Sequence, residues 1–161
     1  RRTARRQAHH GERLSVAPGT TGTGVLLAVD LGTVRIGVAA SDPHRILASP
    51  VETVPRDGTE LDRLVQLVAE RDVVGVIVGL PTDLRGRDGP AAQAVREWVL
   101  GLQHRLDTAA PGVGVSLVDE RLTTVVATRR LREAGGPTGR RRKAVIDQEA
   151  AVALLQGELD S

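Results

Sequence analysis

A chain of 161 residues with a formal net charge of +2 has the length of one domain, enough to bury roughly two-thirds of the surface that it exposes unfolded. It contains no Cys, Met, Phe or Tyr, and Trp98 is its single aromatic residue, which excludes disulfides, thiolate zinc sites, a Cys nucleophile and a base-stacking platform for single strands. No apolar run approaches the ~20 residues of a membrane span, and the basic start lacks the apolar stretch of a secretory signal, so a cytoplasmic protein with no membrane partner is expected.

Residues 1–24 mix Arg, His, Gly, Thr and Pro without periodicity and read as a flexible basic N-terminal arm, with five Arg and one Glu in residues 1–13. The chain does not open on Met, so a trimmed or partial start is expected. The folded domain is expected over residues 25–161. Val25 to Asp30 reads as a buried strand, and the turn at Leu31, Gly32 and Thr33 leads to an antiparallel strand, Val34 to Ala40. Ile46 to Val54 is a less regular third strand in which Pro50 implies an edge or a bulge. Gly58 to Glu70 is predicted helical, with Leu61, Leu64, Val65 and Val68 on one face. Val73 to Gly79 is almost wholly apolar, as suits a strand covered on both faces. A polar, Gly-rich loop, Leu80 to Gly89, leads to a second helix from Pro90 to about Leu106, with Pro in its first turn. Val113 to Glu120 is the fifth strand. Thr123 to Glu133 is a third helix, ended by Gly135, Gly136 and Pro137. Thr138 to Lys143 reads as a loop too charged to be buried, and Ala144 to Leu159 as the closing helix.

This order predicts an α/β domain with a five-stranded mixed sheet: an antiparallel meander of three strands, then two parallel strands joined through helical crossovers. The charge is segregated along it. Residues 129–143 hold six Arg, Lys143 and one Glu, whereas the chain outside this segment and the arm has 18 acidic and 10 basic residues. Lys143 is the only Lys. Arg suits phosphate because its planar fork can bind two oxygens, although a solvated tail and a solvated loop would show the same composition.

Three segments place acids where packing alone would not. Asp30 ends an apolar strand, beside glycines that permit a tight turn at Gly32 and close approach of the hairpin at Gly37. Capping a β-turn is the ordinary use of such an Asp. Asp119 and Glu120 close the fifth strand and point to opposite faces, so only one of them enters a given site and the other is placed to cap a helix. Asp147 interrupts the stripe of Ala150, Ala151 and Leu154 on the last helix. A surface pair with Lys143 would explain it; a buried carboxylate would need stronger compensation. Carboxylates drawn from distant segments repel unless a cation neutralises them, and Mg²⁺ (or Mn²⁺) is the expected occupant. His9, His10, His44 and His104 show no ligand spacing.

The stretches Val29 to Asp42 (VDLGTVRIGVAASD), Val78 to Pro81 (VGLP), Asp119 to Thr124 (DERLTT) and Lys143 to Ala151 (KAVIDQEAA), in that order, closely resemble the YqgF (RuvX) family. Its members are provisionally described as pre-16S rRNA nucleases and Holliday junction resolvases. The resemblance implies a ribonuclease H-like fold, with Asp30, Glu120 and Asp147 as catalytic, metal-binding acids. It thereby prefers Glu120 over Asp119. It implies a hydrolase acting on phosphodiester bonds of an rRNA precursor or branched DNA, a junction resolvase acting as a homodimer. Arg35 and the segment Arg140, Arg141, Arg142 and Lys143 would then hold flanking phosphates.

Two rival functions share parts of the pattern. Asp30 to Thr33 also resembles the phosphate-binding hairpin of actin-like ATPases, but those clasp a nucleotide between two such domains. A non-catalytic nucleic-acid-binding or ribosome-assembly factor could keep the same fold and would bind without metal or cleavage.

Overall fold

The apolar runs become the middle of a sheet. A computed structural model describes residues 22–81, 89–119 and 139–161, the side chains of 139–144 excepted. Most of the expected arm, residues 82–88 and the expected helix from Thr123 to Glu133 lie outside the described residues. The elements are β1 (Val25–Leu31), β2 (Arg35–Ser41), β3 (Ala48–Pro55), α1 (Glu60–Glu70), β4 (Val73–Leu80), α2 (Pro90–Ala109), β5 (Gly114–Asp119) and α3 (Gly139–Leu159). The five strands lie in the order β3-β2-β1-β4-β5. β1 pairs antiparallel with β2, and β2 with β3, whereas β1 with β4 and β4 with β5 are parallel.

Side chains alternate across each strand, so the two faces build separate cores. On one face Leu27, Val29, Ile36, Val38, Val76 and Val78 meet Leu64, Leu67 and Val68 of α1 and Val95, Val99 and Leu102 of α2. On the other, Leu26, Ala28, Ala39, Ala48 and Ile77 meet Ala151, Leu154 and Leu155 of α3. β1 and β4 are covered twice, which is why their sequences are apolar at nearly every position. β3 is an edge strand; it carries Pro50 and Pro55, and its register with β2 shifts between Val38 and Ala39, as Pro50 foretold.

Boundaries differ from the expected ones where local chemistry is ambiguous. α2 runs on to Ala109 and stops before Pro111 and Gly112, which has φ +91°. The largest correction concerns Arg140, Arg141, Arg142 and Lys143: they are the first turns of α3, not a loop. Arg and Lys are good helix formers, and the helix needs only its apolar residues downstream to anchor it. No described helix is long and apolar enough to cross a membrane.

Candidate active site

One row of residues crosses the antiparallel half of the sheet on the face covered by α3. Asp30, the penultimate residue of β1, is paired with Gly37 of β2, and Gly37 with Thr53 of β3. Asp30 shares the side of Leu26 and Ala28, whose neighbours belong to the α3 core. It is half-buried at the carboxyl end of a parallel strand pair, where open α/β sheets bind their ligands.

α3 is seated on this row. A Cβ placed on Gly37 would collide with the main-chain carbonyl of Asp147 and crowd the amide of Gln148. The helix therefore lies closer to the sheet than any other residue at position 37 would allow. The sequence assigned Gly37 to the hairpin; in the structure its absent side chain admits α3. From the next position Gln148 Nε2 donates to Thr53 Oγ1 at 2.9 Å. Further along, Gln156 accepts from the Ala48 amide at 2.9 Å and donates to the Ile46 carbonyl at 3.1 Å. These bonds fix the rotation of the helix, while Ala150, Ala151, Leu154 and Leu155 bury its apolar side.

That rotation brings Asp147 to the row that Asp30 begins. Lys143, one turn earlier on the same helix and its expected surface partner, has a side chain outside the described residues. Arg35, on the side of β2 that carries Gly37, donates from Nε to Asp147 Oδ2 at 2.9 Å. Both side chains are partly buried, at 31% and 21% exposure, so the pair is better shielded than a surface ion pair. Arg35 thus contacts an acid, where the sequence suggested a phosphate ligand.

The hairpin end is tied by Gly32, whose amide donates to the Arg35 carbonyl at 2.9 Å and whose carbonyl accepts from Arg56 Nη1 at 3.0 Å. Thr53, Gln148 and Arg56 were not singled out from the sequence. A Gly in an apolar strand, facing an acid on a small-residue helix, was the signal for the first two; Arg56 left none.

β5 ends beside β4, with Asp119 opposite Leu80. Asp119 is exposed and falls in the alternation of Val115 and Leu117, which face α1 and α2 rather than α3. Val118 packs into the α3-side core. Glu120, the next acid, lies outside the described residues, as do the side chains of Arg140, Arg141, Arg142 and Lys143. Among the described residues, no group of three acidic or His side chains converges; Asp30 and Asp147 are the two of the three expected acids that the structure describes. Their oxygens are hard donors of the kind that Mg²⁺ and Mn²⁺ take, and the donor set fits such an ion.

The sequence model of a family described as RuvX, Holliday junction resolvase, matches residues 24–161. A Rhodococcus opacus protein provisionally named a pre-16S rRNA nuclease is 46% identical over 159 residues, covering 94% of this chain and 86% of its own length. A Thermobifida fusca protein of the same name is 52% identical over 145 residues, covering 86% and 89%. Among solved structures, Thermus thermophilus RuvC in complex with a Holliday junction substrate superposes with a TM-score of 0.53 at 17% identity, over 85% of this chain and 94% of that one. At that identity the likeness speaks for the fold, which is the ribonuclease H-like one expected.

Proposed function

Because the chain belongs to the RuvX family of Holliday junction resolvases, we propose that it is a metal-dependent nuclease that hydrolyses phosphodiester bonds in structured nucleic acid. The observation that carries the proposal is the seating of Asp147 over Gly37, on the row that begins with Asp30. Two acids separated by more than a hundred positions flank one glycine, Asp30 by its strand pairing and Asp147 by its main chain. A turn cap and a surface pair would require neither.

In this reading Asp30, Asp147 and Glu120 hold Mg²⁺ or Mn²⁺. When bound, the ion supplies Lewis acidity toward a phosphate oxygen and lowers the pKa of a bound water. The protein's own part is positional. β1 fixes Asp30 through its pairing on both sides, and α3 fixes Asp147 through Gln148 and Gln156. Arg140, Arg141, Arg142 and Lys143 begin the helix that carries Asp147, so phosphates bound there would be aligned with the acids.

The names of the relatives favour pre-16S rRNA as substrate, where processing of the 5′ end is our own reading, and the family description favours a Holliday junction. Junction resolution calls for a homodimer with two symmetric sites. Either activity belongs in the cytoplasm. The deciding experiment offers a four-way DNA junction and an rRNA precursor to the protein with Mg²⁺ or Mn²⁺, with Asp30→Asn and Asp147→Asn alongside and the mass measured by light scattering. Metal-dependent cleavage of one substrate, lost by at least about a hundredfold in both variants with binding retained, is expected. Full activity in either variant removes that acid from the site. Metal-independent binding without cleavage would make the protein an assembly factor.

A further inference from the structure

We propose that Arg35 bridges the acid and the substrate: its Nε stays on Asp147 while its two terminal nitrogens take one phosphate of the nucleic-acid backbone. The inference rests on the nucleic-acid reading above and names the residue that sets the strand against the acids. The contact in the structure uses a single donor, Nε to Asp147 Oδ2 at 2.9 Å, and neither terminal nitrogen makes a hydrogen bond among the described residues. The pair of Arg63 with Glu52 shows the closed alternative, with Nε and Nη2 on separate carboxylate oxygens at 3.0 and 2.6 Å. Nor are the terminal nitrogens of Arg35 sealed in. Among the described residues the one buried side-chain nitrogen or oxygen without a partner is Trp98 Nε1, so those of Arg35 reach solvent.

The rest of the residue is held still. Its main-chain carbonyl accepts from the Gly32 amide at 2.9 Å, which ties the hairpin turn, and Arg35 pairs with Pro55 where β2 begins. Its side chain lies on the side of β2 that carries Gly37, two residues along, the glycine that Asp30 pairs with and Asp147 covers. A guanidinium is planar, so holding Nε restrains the direction in which the two terminal nitrogens point. Their N–H groups match the two non-bridging oxygens of a phosphodiester, and a donor already in place loses little freedom on binding one. The tie takes one oxygen of Asp147 and leaves Oδ1 untouched by Arg35, so a phosphate on Arg35 and an ion on Asp147 need not exclude each other. Arg56, at the same turn, is the contrast: it bonds to the Gly32 carbonyl through Nη1 and lies beside Glu60, so its fork is already engaged within the protein.

Fluorescence anisotropy in EDTA, with a labelled four-way DNA junction and a labelled rRNA precursor across a salt series, tests the bridge in the wild type, Arg35→Gln, Arg35→Lys and Arg56→Gln. On the nucleic acid that the protein binds, Arg35→Gln should weaken affinity roughly fivefold to tenfold and lower the salt slope by about one. Arg35→Lys, which keeps the charge but not the fork, should restore the slope and only part of the affinity. Arg56→Gln should stay within about twofold of the wild type, with its slope unchanged. An unchanged slope in Arg35→Gln overturns the proposal, as does an equal loss in Arg56→Gln, which would reduce the effect to distant charge. Full recovery of affinity in Arg35→Lys overturns it too, because charge alone would then suffice. Metal-dependent cleavage by the wild type alongside unchanged binding in Arg35→Gln would leave the nuclease reading standing and remove Arg35 alone. Absence of binding to either probe in the wild type would end both. A magnetic-resonance measurement on the wild type needs no variant to fold: the Arg35 Nε–H should be protected from solvent exchange with and without nucleic acid, and its terminal N–H groups only with it. Loss of the Nε–H protection on binding, or terminal groups that stay unprotected at saturation, overturns the proposal.

Discussion

A methyl group at position 37 would enter the main chain of Asp147 and Gln148, and main-chain atoms cannot rotate aside as a side chain can. Gly37→Ala should therefore cost about 1–3 kcal/mol, the range of overpacked cores, and lift Asp147 away from Asp30. Calorimetry and the cleavage assay check it: the melting temperature should fall by several degrees, and cleavage by more than the smaller folded fraction explains. Gly157 lies in the same helix with open space where a Cβ would go. There the identical change, Gly157→Ala, should stabilise by roughly 0.5 kcal/mol, because it only restricts the unfolded chain. The opposite signs separate a glycine kept for its missing side chain from one that is merely tolerated. Sequence alone showed both as glycines in regular elements.

Elements are held by contacts that their own sequences do not announce. The edge strand β3 is tied to α1 by the two-pronged pair of Arg63 with Glu52, and α1 to α2 by an ion pair between Asp62 and Arg105. The hydrogen bonds from Arg63, more than its distance-acting charge, hold the Glu52 carboxyl below its ordinary pKa. A carboxylate with a depressed folded pKa stabilises the fold above its unfolded value and ceases to do so as pH falls through the folded one. Stability should thus lose this contribution on acidification below the ordinary value of 4.5. Glu52→Gln should lower the melting temperature at pH 7 and flatten the acid side of the profile, which thermal melts from pH 7 to pH 3 would show. Element type was legible nearly throughout, since the periodicity of Leu61, Leu64, Val65 and Val68 and the apolar run of β4 admit one reading each. The start of α3 was not. Four consecutive basic residues look like a loop by hydrophilicity, yet they follow a Gly-Gly-Pro break and favour the helix that the apolar residues downstream hold in place.

At the scale of the molecule, the basic run Arg140 to Lys143 lies one turn or so ahead of Asp147 on the same helix. If those residues hold phosphates, nucleic-acid affinity should fall by tenfold or more between about 50 and 200 mM salt, as counterions compete. Replacing Arg140, Arg141 and Arg142 together with Gln should reduce the salt slope by about one for each phosphate that these side chains neutralise. Asp147→Asn should leave that slope unchanged. A slope insensitive to the triple substitution would move the phosphate-binding surface elsewhere. Binding measured across a salt series decides it.

The sequence by itself determined the five strands, their mixed directions and which acids stand out, because burial on both sides demands apolar runs and an Asp inside such a run is expensive enough to be noticed. It did so with Asp30 and Asp147 more than a hundred positions apart. Only the tertiary structure decided what surrounds each of them. The register that sets Asp30 beside Gly37 and Thr53, the helix rotation fixed by Gln148, and the reach of Arg35 to Asp147 depend on distances between segments remote in the chain. Local periodicity records which way a residue faces. It carries no information about what the opposing surface lacks, and here that is one side chain at Gly37.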